Sequence, residues 1–194
     1  MKKKLLYIDA CIRGEQSRTA QLAKSALGVL SERFDITTID LTNYHLQCIT
    51  TQEYHLRREQ GPSAEDIKHS RLIAEADCIV VAAPFWDMSF PSILKLFIEH
   101  TSILNITFCN NADGTTRGNC KAQKLLYITS RGMNIETDSS LDQGTSYLKA
   151  ICWLWGIPEV VTLAISGTDM CDESTLKEKI ENAKNFGIEI CKTL

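Results

Sequence analysis

The chain has 194 residues, of which 44% are apolar and 23% charged, with a formal net charge of −3. These are ordinary values for a soluble globular protein and suit one domain rather than several. The charge balance excludes a general nucleic-acid or anionic-membrane binder, because apart from Lys2–Lys4 no basic cluster stands out to collect phosphates. No run of about 18 apolar residues exists, so the sequence contains no segment expected to span a membrane.

Taken in chain order, Leu5–Ile8 is a short apolar run that reads as a first strand. Residues 17–32 place Leu22, Ala26, Leu27 and Leu30 at helical spacing behind Ser17, a natural N-cap. Ile36–Leu41 alternates β-branched and polar residues, the pattern of a second strand. Residues 43–62 are polar and aperiodic and read as a loop closing at Gly61-Pro62. Ser63 caps a helix expected to reach Ala76. Asp77–Ala83 is almost wholly apolar, as expected for a central strand buried on both faces. Pro84–Pro91 is a loop and 92–101 a helix. Residues 105–123 form an excursion with several turns. Leu125–Thr129 is a fourth strand, 140–155 a helix stopped by Gly156-Ile157-Pro158, and Val160–Ile165 a fifth strand. The last helix sets Leu176, Ile180, Ala183, Phe186 and Ile190 on one face, with Gly187 a local weakness of up to about 1 kcal/mol.

Strands therefore alternate with helices. Parallel neighbours need right-handed crossovers, so the fold class is α/β: a three-layer sandwich with a five-stranded parallel sheet of order 2-1-3-4-5. All of residues 1–194 are expected to form this one domain. Ligands of such sheets bind beyond the carboxyl ends of the strands, at the switch point. The loops after strands 1, 3 and 4 are thus where chemistry is expected.

The first loop carries Cys11, Arg13, Ser17, Arg18 and Thr19. A helix start with two hydroxyls and nearby arginines suits a phosphate. Equally, Ser17 can be only a cap and the arginines solvated surface charges. The loop has neither G-x-G-x-x-G nor a P-loop pattern, which argues against a dinucleotide or nucleoside-triphosphate site. The second loop, Pro84-Phe85-Trp86-Asp87-Met88-Ser89-Phe90-Pro91, is apolar where a connection is normally polar. It suits a flat apolar ligand, or a hydrophobic plug or subunit contact. The third, Thr129-Ser130-Arg131-Gly132, offers a glycine for close backbone approach. A phosphate cradle and a flat apolar wall on one sheet edge match a flavin mononucleotide.

Eight cysteines occur, none in C-x-x-C or zinc spacing, so they read as reduced thiols of a cytoplasmic protein, several of them buried, Cys78, Cys152 and Cys191 included. No metal site is expected. The four histidines, 45, 55, 69 and 100, read as surface or structural.

The chain resembles the flavodoxin-like family of FMN-dependent NADH:azoreductases and NAD(P)H quinone reductases. The likeness is clearest at Ala82–Ser89, Leu94-Lys95, Ile106–Phe108 and Ile128–Gly132. It implies FMN as cofactor and NADH or NADPH as donor. It also implies two-electron ping-pong hydride transfer to a small aromatic acceptor: a quinone, an azo compound or a nitroaromatic. By this resemblance Ser17 and Thr19 fall at the phosphate and Cys11 where a serine touching the cofactor is common. Pro84, Phe85, Trp86, Asp87 and Met88 fall beside the ring, and Ser130, Arg131 and Gly132 on the loop closing its other side. Arg13 and Arg18 add charge at the phosphate. Chemistry resides on the flavin, so no general acid or base is nominated. A homodimer with sites at the interface is implied, with 43–62 and 105–123 as wall builders. Three positions depart from the family: Asp87 for asparagine, Cys11 for serine and Met133 for a second glycine. They keep two other readings in play, a flavodoxin-type electron carrier and a protein that kept the fold and lost the flavin.

Overall fold

The computed structural model describes residues 2–193, except the side chains of Cys191 and Thr193; the thiol of Cys191 thus lies outside the described residues. The elements are β1 (Lys3–Asp9), α1 (Arg18–Leu30), β2 (Phe34–Asp40), α2 (Thr51–Gln60), α3 (Ala64–Glu75), β3 (Cys78–Ala82) and α4 (Ser92–Thr101). Then come β4 (Phe108–Asn110), β5 (Thr116–Gly118), β6 (Lys124–Ser130), α5 (Gln143–Trp155), β7 (Glu159–Ile165) and α6 (Glu173–Thr193).

The main sheet runs β2-β1-β3-β6-β7, every pair parallel. Counting only its own strands, this is the expected order 2-1-3-4-5. The strand period of two sorts the apolar runs into two cores. Leu6 and Ile8 of β1, Ile79 and Val81 of β3, and Leu125 and Tyr127 of β6 face Ile73 of α3, Leu94 and Phe97 of α4, and Leu148 and Trp155 of α5. Their neighbours Leu5, Tyr7, Cys78, Val80, Leu126 and Ile128 face Leu22, Ala26 and Leu30 of α1 and Ala183 and Ile190 of α6. Burying each large side chain contributes roughly 1.5–3 kcal/mol. Both faces of the central strands are filled, which is why those strands read as unbroken apolar runs. Gly187 is the point where α6 touches α1: a Cβ there would stand 2.9 Å from the Ala26 carbonyl oxygen. The glycine that weakens the helix locally lets the two helices pack.

Two segments differ from expectation. Within 43–62, read as loop, lies α2. None of its residues is buried, so it has no apolar stripe to reveal it. Its ends carry the signal instead: the Thr50 hydroxyl accepts from the Glu53 N–H, the reach of a capping box, and Gly61 closes the helix. Arg57 of α2 pairs with Asp66, which also meets His100 Nδ1 at 3.1 Å, while His100 Nε2 lies 2.9 Å from the Gln47 carbonyl. This partly buried group straps the polar segment to α3 and α4, and it gives His100 a structural role, one of the two readings expected of it.

The excursion 105–123 holds the antiparallel hairpin β4-β5. The Cys120 N–H donates to the Trp155 carbonyl at the end of α5. Since α5 runs back along the sheet, this hairpin sits at the amino edge of the strands. Neither it nor α2 lines the cleft at the carboxyl edge of this chain. Among the described residues no helix is long and apolar enough to cross a membrane, and no group of three or more His, Cys, Asp or Glu could hold a metal ion.

Candidate functional site

Three loops meet where β1, β3 and β6 end. After β1 the chain makes a tight turn, with the Cys11 N–H on the Asp9 carboxylate (2.9 Å) and the Gly14 N–H on the Cys11 carbonyl (2.8 Å). Ser17 is then extended (φ −76°, ψ 120°), and its hydroxyl accepts from the Ala20 N–H to cap α1. The cap takes up the Ala20 N–H, and the positive end of the helix dipole lies at Arg18, the first helical residue.

The loop after β3 is a clasp. Trp86 and Ser89 exchange both backbone hydrogen bonds (3.1 and 2.8 Å), and the residues between them, Asp87 (φ 48°) and Met88 (φ 66°), are both left-handed. Two consecutive positive φ values define a type I′ turn. Such backbone costs an L-residue roughly 1–2 kcal/mol, and asparagine and aspartate tolerate it best. The asparagine common in the resembling family and the Asp87 found here therefore meet the same backbone demand. The clasp is anchored at both ends: Phe85 N–H donates to the Ser130 carbonyl (3.2 Å) and Gln143 N–H to the Met88 carbonyl (3.0 Å).

The loop after β6 supplies the support beneath. Arg131 is fully buried. Its guanidinium donates to Asp142 (2.7 Å) and to the Ile135 carbonyl (2.8 Å), and it lies 5.2 Å from the centre of the Phe85 ring, within cation–π range. Asp142 caps α5 by accepting from the Thr145 N–H (3.1 Å) and also takes the Asp138 N–H (3.2 Å). Burial pushes its carboxyl upward. Hydrogen bonds from Thr145 and Asp138 and the charge of Arg131 outweigh that and hold it below the usual carboxylate value.

The result is a cleft of two adjoining lobes. One, about 280 Å³, is lined by Arg13, Ser17, Arg18, Pro84, Phe85, Trp86, Ser130, Gly132, Thr168 and Asp169. The other, about 350 Å³, is lined by Phe85, Asp87, Met88, Gly132, Met133 and Asp169. Larger grooves exist, such as that between α1 and β2. They lie away from the junction of the three loops and gather no comparable set of cations and aromatic rings.

Of the expected site residues, all but Cys11, Thr19 and Arg131 line this cleft. Cys11 is buried, its thiol 3.7 Å from the Ala82 carbonyl. Burial and the neighbouring Asp9 charge raise its pKa well above the ordinary thiol value, so it is a neutral core group near pH 7. Thr19 is also buried: its hydroxyl lies 2.7 Å from that of Ser130 and accepts the Ser130 N–H at 3.1 Å. It ties α1 to the end of β6. Arg131 acts from beneath through Phe85. Sequence reasoning missed Thr168 and Asp169, which follow β7, the edge strand, one place beyond the loops searched. It also missed Asp142, whose sequence signal is an Asp-x-x-Thr N-cap before α5.

A family model for the flavodoxin-like fold, Flavodoxin_2, matches residues 3–186. The chain belongs to this family. It is 30% identical to the FMN-dependent NADH:quinone oxidoreductase 2 of Clostridium perfringens (strain 13 / Type A), over 97% of this chain and 98% of that one. It is 31% identical to the FMN-dependent NADH:quinone oxidoreductase 2 of Clostridium acetobutylicum, over 93% and 96%. Among solved structures, an FMN-dependent NADH-azoreductase from Bacillus anthracis in complex with FMN aligns with a TM-score of 0.81 at 19% identity, covering 97% of this chain and 99% of that one. At that identity the likeness speaks to fold alone.

Proposed function

We propose that this flavodoxin-like chain is an FMN-dependent oxidoreductase that uses NADH to reduce quinones. The observation that carries the reading is a cleft joining a phosphate-type cradle to an aromatic clasp at the switch point, in a chain whose full-length relatives are named for this activity. The donor set suits FMN. Ser17, Arg13, Arg18 and the first-turn N–H groups of α1 would hold the phosphate. Phe85, Trp86 and Met88 supply an apolar surface for the ring.

Bound there, FMN supplies the hydride-accepting and hydride-donating chemistry. The chain's own residues would bind and orient it. The I′ turn fixes Phe85, Trp86 and Asp87 through backbone bonds, and Arg131 holds Phe85 from below. The Asp87 carboxylate opposes added negative charge beside it, which favours handing electrons on. Met133, half exposed at the mouth, narrows the entrance and so influences which acceptors reach the clasp. NADPH as an alternative donor and azo or nitroaromatic acceptors belong to the same reading.

One domain carries the whole site. We read the working form as a homodimer, since Ile12, Trp86, Met133 and Met170 are exposed apolar side chains at, or next in sequence to, cleft-lining residues. A cytoplasmic setting fits the seven described cysteines, none of which is in a disulfide.

The test is anaerobic titration of the FMN-reconstituted protein. Stoichiometric bleaching near 450 nm (about the flavin maximum) by NADH, and full recovery with a quinone, is the expected result. Bound flavin that NADH leaves unbleached contradicts the assignment.

A further inference from the structure

Loop 166–170, after β7, reaches over the cradle. Thr168 is tied down, its N–H and hydroxyl both donating to the Arg131 carbonyl at 3.0 Å, and Asp169 N–H donates to the Gly132 carbonyl at 3.3 Å. Arg18 Nη1 donates to the Thr168 hydroxyl (2.9 Å) and to Asp169 Oδ1 (3.0 Å). Asp169 Oδ2 stands 2.1 Å from where a Cβ on residue 132 would be, so a glycine there lets the carboxylate enter the cleft. Thus one of the two arginines lining the phosphate lobe already has an anionic partner, and that partner lines both lobes.

The pair is built to be broken. The Arg18 side chain is 39% exposed and that of Asp169 71%. Exposed ion pairs contribute little and are screened by salt. The guanidinium offers further N–H donors in a fixed fork that suits a phosphate. A dianionic phosphate entering this lobe must displace the Asp169 carboxylate from Arg18 or sit beside it, and both cost affinity. A ligand without a phosphate meets neither penalty.

From this geometry we propose that Asp169 is a specificity-determining residue: an internal carboxylate that competes with the ligand's phosphate for Arg18 and so sets how strongly FMN is preferred over unphosphorylated riboflavin. The proposal rests on the FMN reading above for its physiological ligand; the competition for Arg18 does not. Asp169 contributes no step of the reaction. It limits retention of the phosphorylated cofactor and makes that retention depend on ionic strength.

The experiment measures dissociation constants for FMN, riboflavin and inorganic phosphate in the full-length apoprotein, using flavin fluorescence and NMR shifts of the Arg18 guanidinium. The variants are Asp169→Asn, Arg18→Gln and the double substitution. Asp169→Asn is expected to tighten FMN and inorganic phosphate roughly threefold to tenfold at low salt, with riboflavin unchanged. The gain should shrink as salt rises, and it should vanish in the Arg18→Gln background. Equal or weaker phosphate and FMN binding by Asp169→Asn overturns the proposal, showing that the carboxylate orients Arg18 rather than competing for it. A gain undiminished without Arg18 also overturns it. If wild type and variants bind neither flavin, yet Asp169→Asn tightens inorganic phosphate through Arg18, the competition stands and the FMN reading falls.

Discussion

The two ends of the cleft are built on opposite principles. The clasp at Phe85–Ser89 is held by backbone hydrogen bonds and backed by a fully buried ion pair, Arg131–Asp142. The other end, at the start of α1, is held by the half-exposed pair Arg18–Asp169. One end fixes shape, as binding a flat ring against atoms already in place would require. The other holds charge on movable side chains, which would meet a phosphate by rearrangement. The energetics follow. A buried pair is costly to break, because either partner left alone is an uncompensated buried charge. An exposed pair is worth about 0–1 kcal/mol.

The largest effect should come from breaking the support. Asp142→Ala is expected to cost about 3–5 kcal/mol in urea denaturation, because it strands Arg131 and uncaps α5. A loss below about 1 kcal/mol would mean that the ion pair does not carry the clasp. The same carboxylate predicts an acid limb. Its pKa is depressed in the folded state, so its contribution is complete above the unfolded value near 3.9 and is lost as pH falls through the lower folded value. Denaturation midpoints should hold steady from pH 7 to about 5 on this group's account and fall below about 4.

A smaller effect, of opposite sign, sits in the clasp itself. Met88→Gly relieves a left-handed methionine and should raise stability by up to about 1 kcal/mol, read as a higher Tm. The gain should come with looser flavin binding, because the glycine gives back chain freedom. Smallest of all, Gly132→Ala at the soft end should change stability by no more than about 0.5 kcal/mol, despite the 2.1 Å approach. The atoms in the way belong to an exposed carboxylate that can swing aside. A large loss there would erase the contrast between the two ends.

The same contrast governs what the sequence reveals. The buried strands are legible because a sheet covered on both faces demands continuous apolar runs, as in Cys78–Ala82. The aromatic residues of the clasp are legible because they violate loop composition. Helix α2 is not, since a helix with no buried residue has no periodicity to read. The strands β4 and β5 are three residues each, too short for an alternation. Arg131 reads as a ligand-facing cation, because an arginine is rarely fully buried; its partner Asp142 lies eleven residues on and is joined to it only by the fold. Asp169 carries no local signal at all. Its position depends on the edge strand bringing residue 169 over Gly132, which is a tertiary fact.

The most direct test of the account is a crystal structure of the protein with FMN. The phosphate is expected within hydrogen-bonding distance of Ser17 and Arg18, with Asp169 moved off Arg18 and the ring against Phe85, Trp86 and Asp87. Flavin bound elsewhere, for example in the groove between α1 and β2, would contradict the assignment of the cleft.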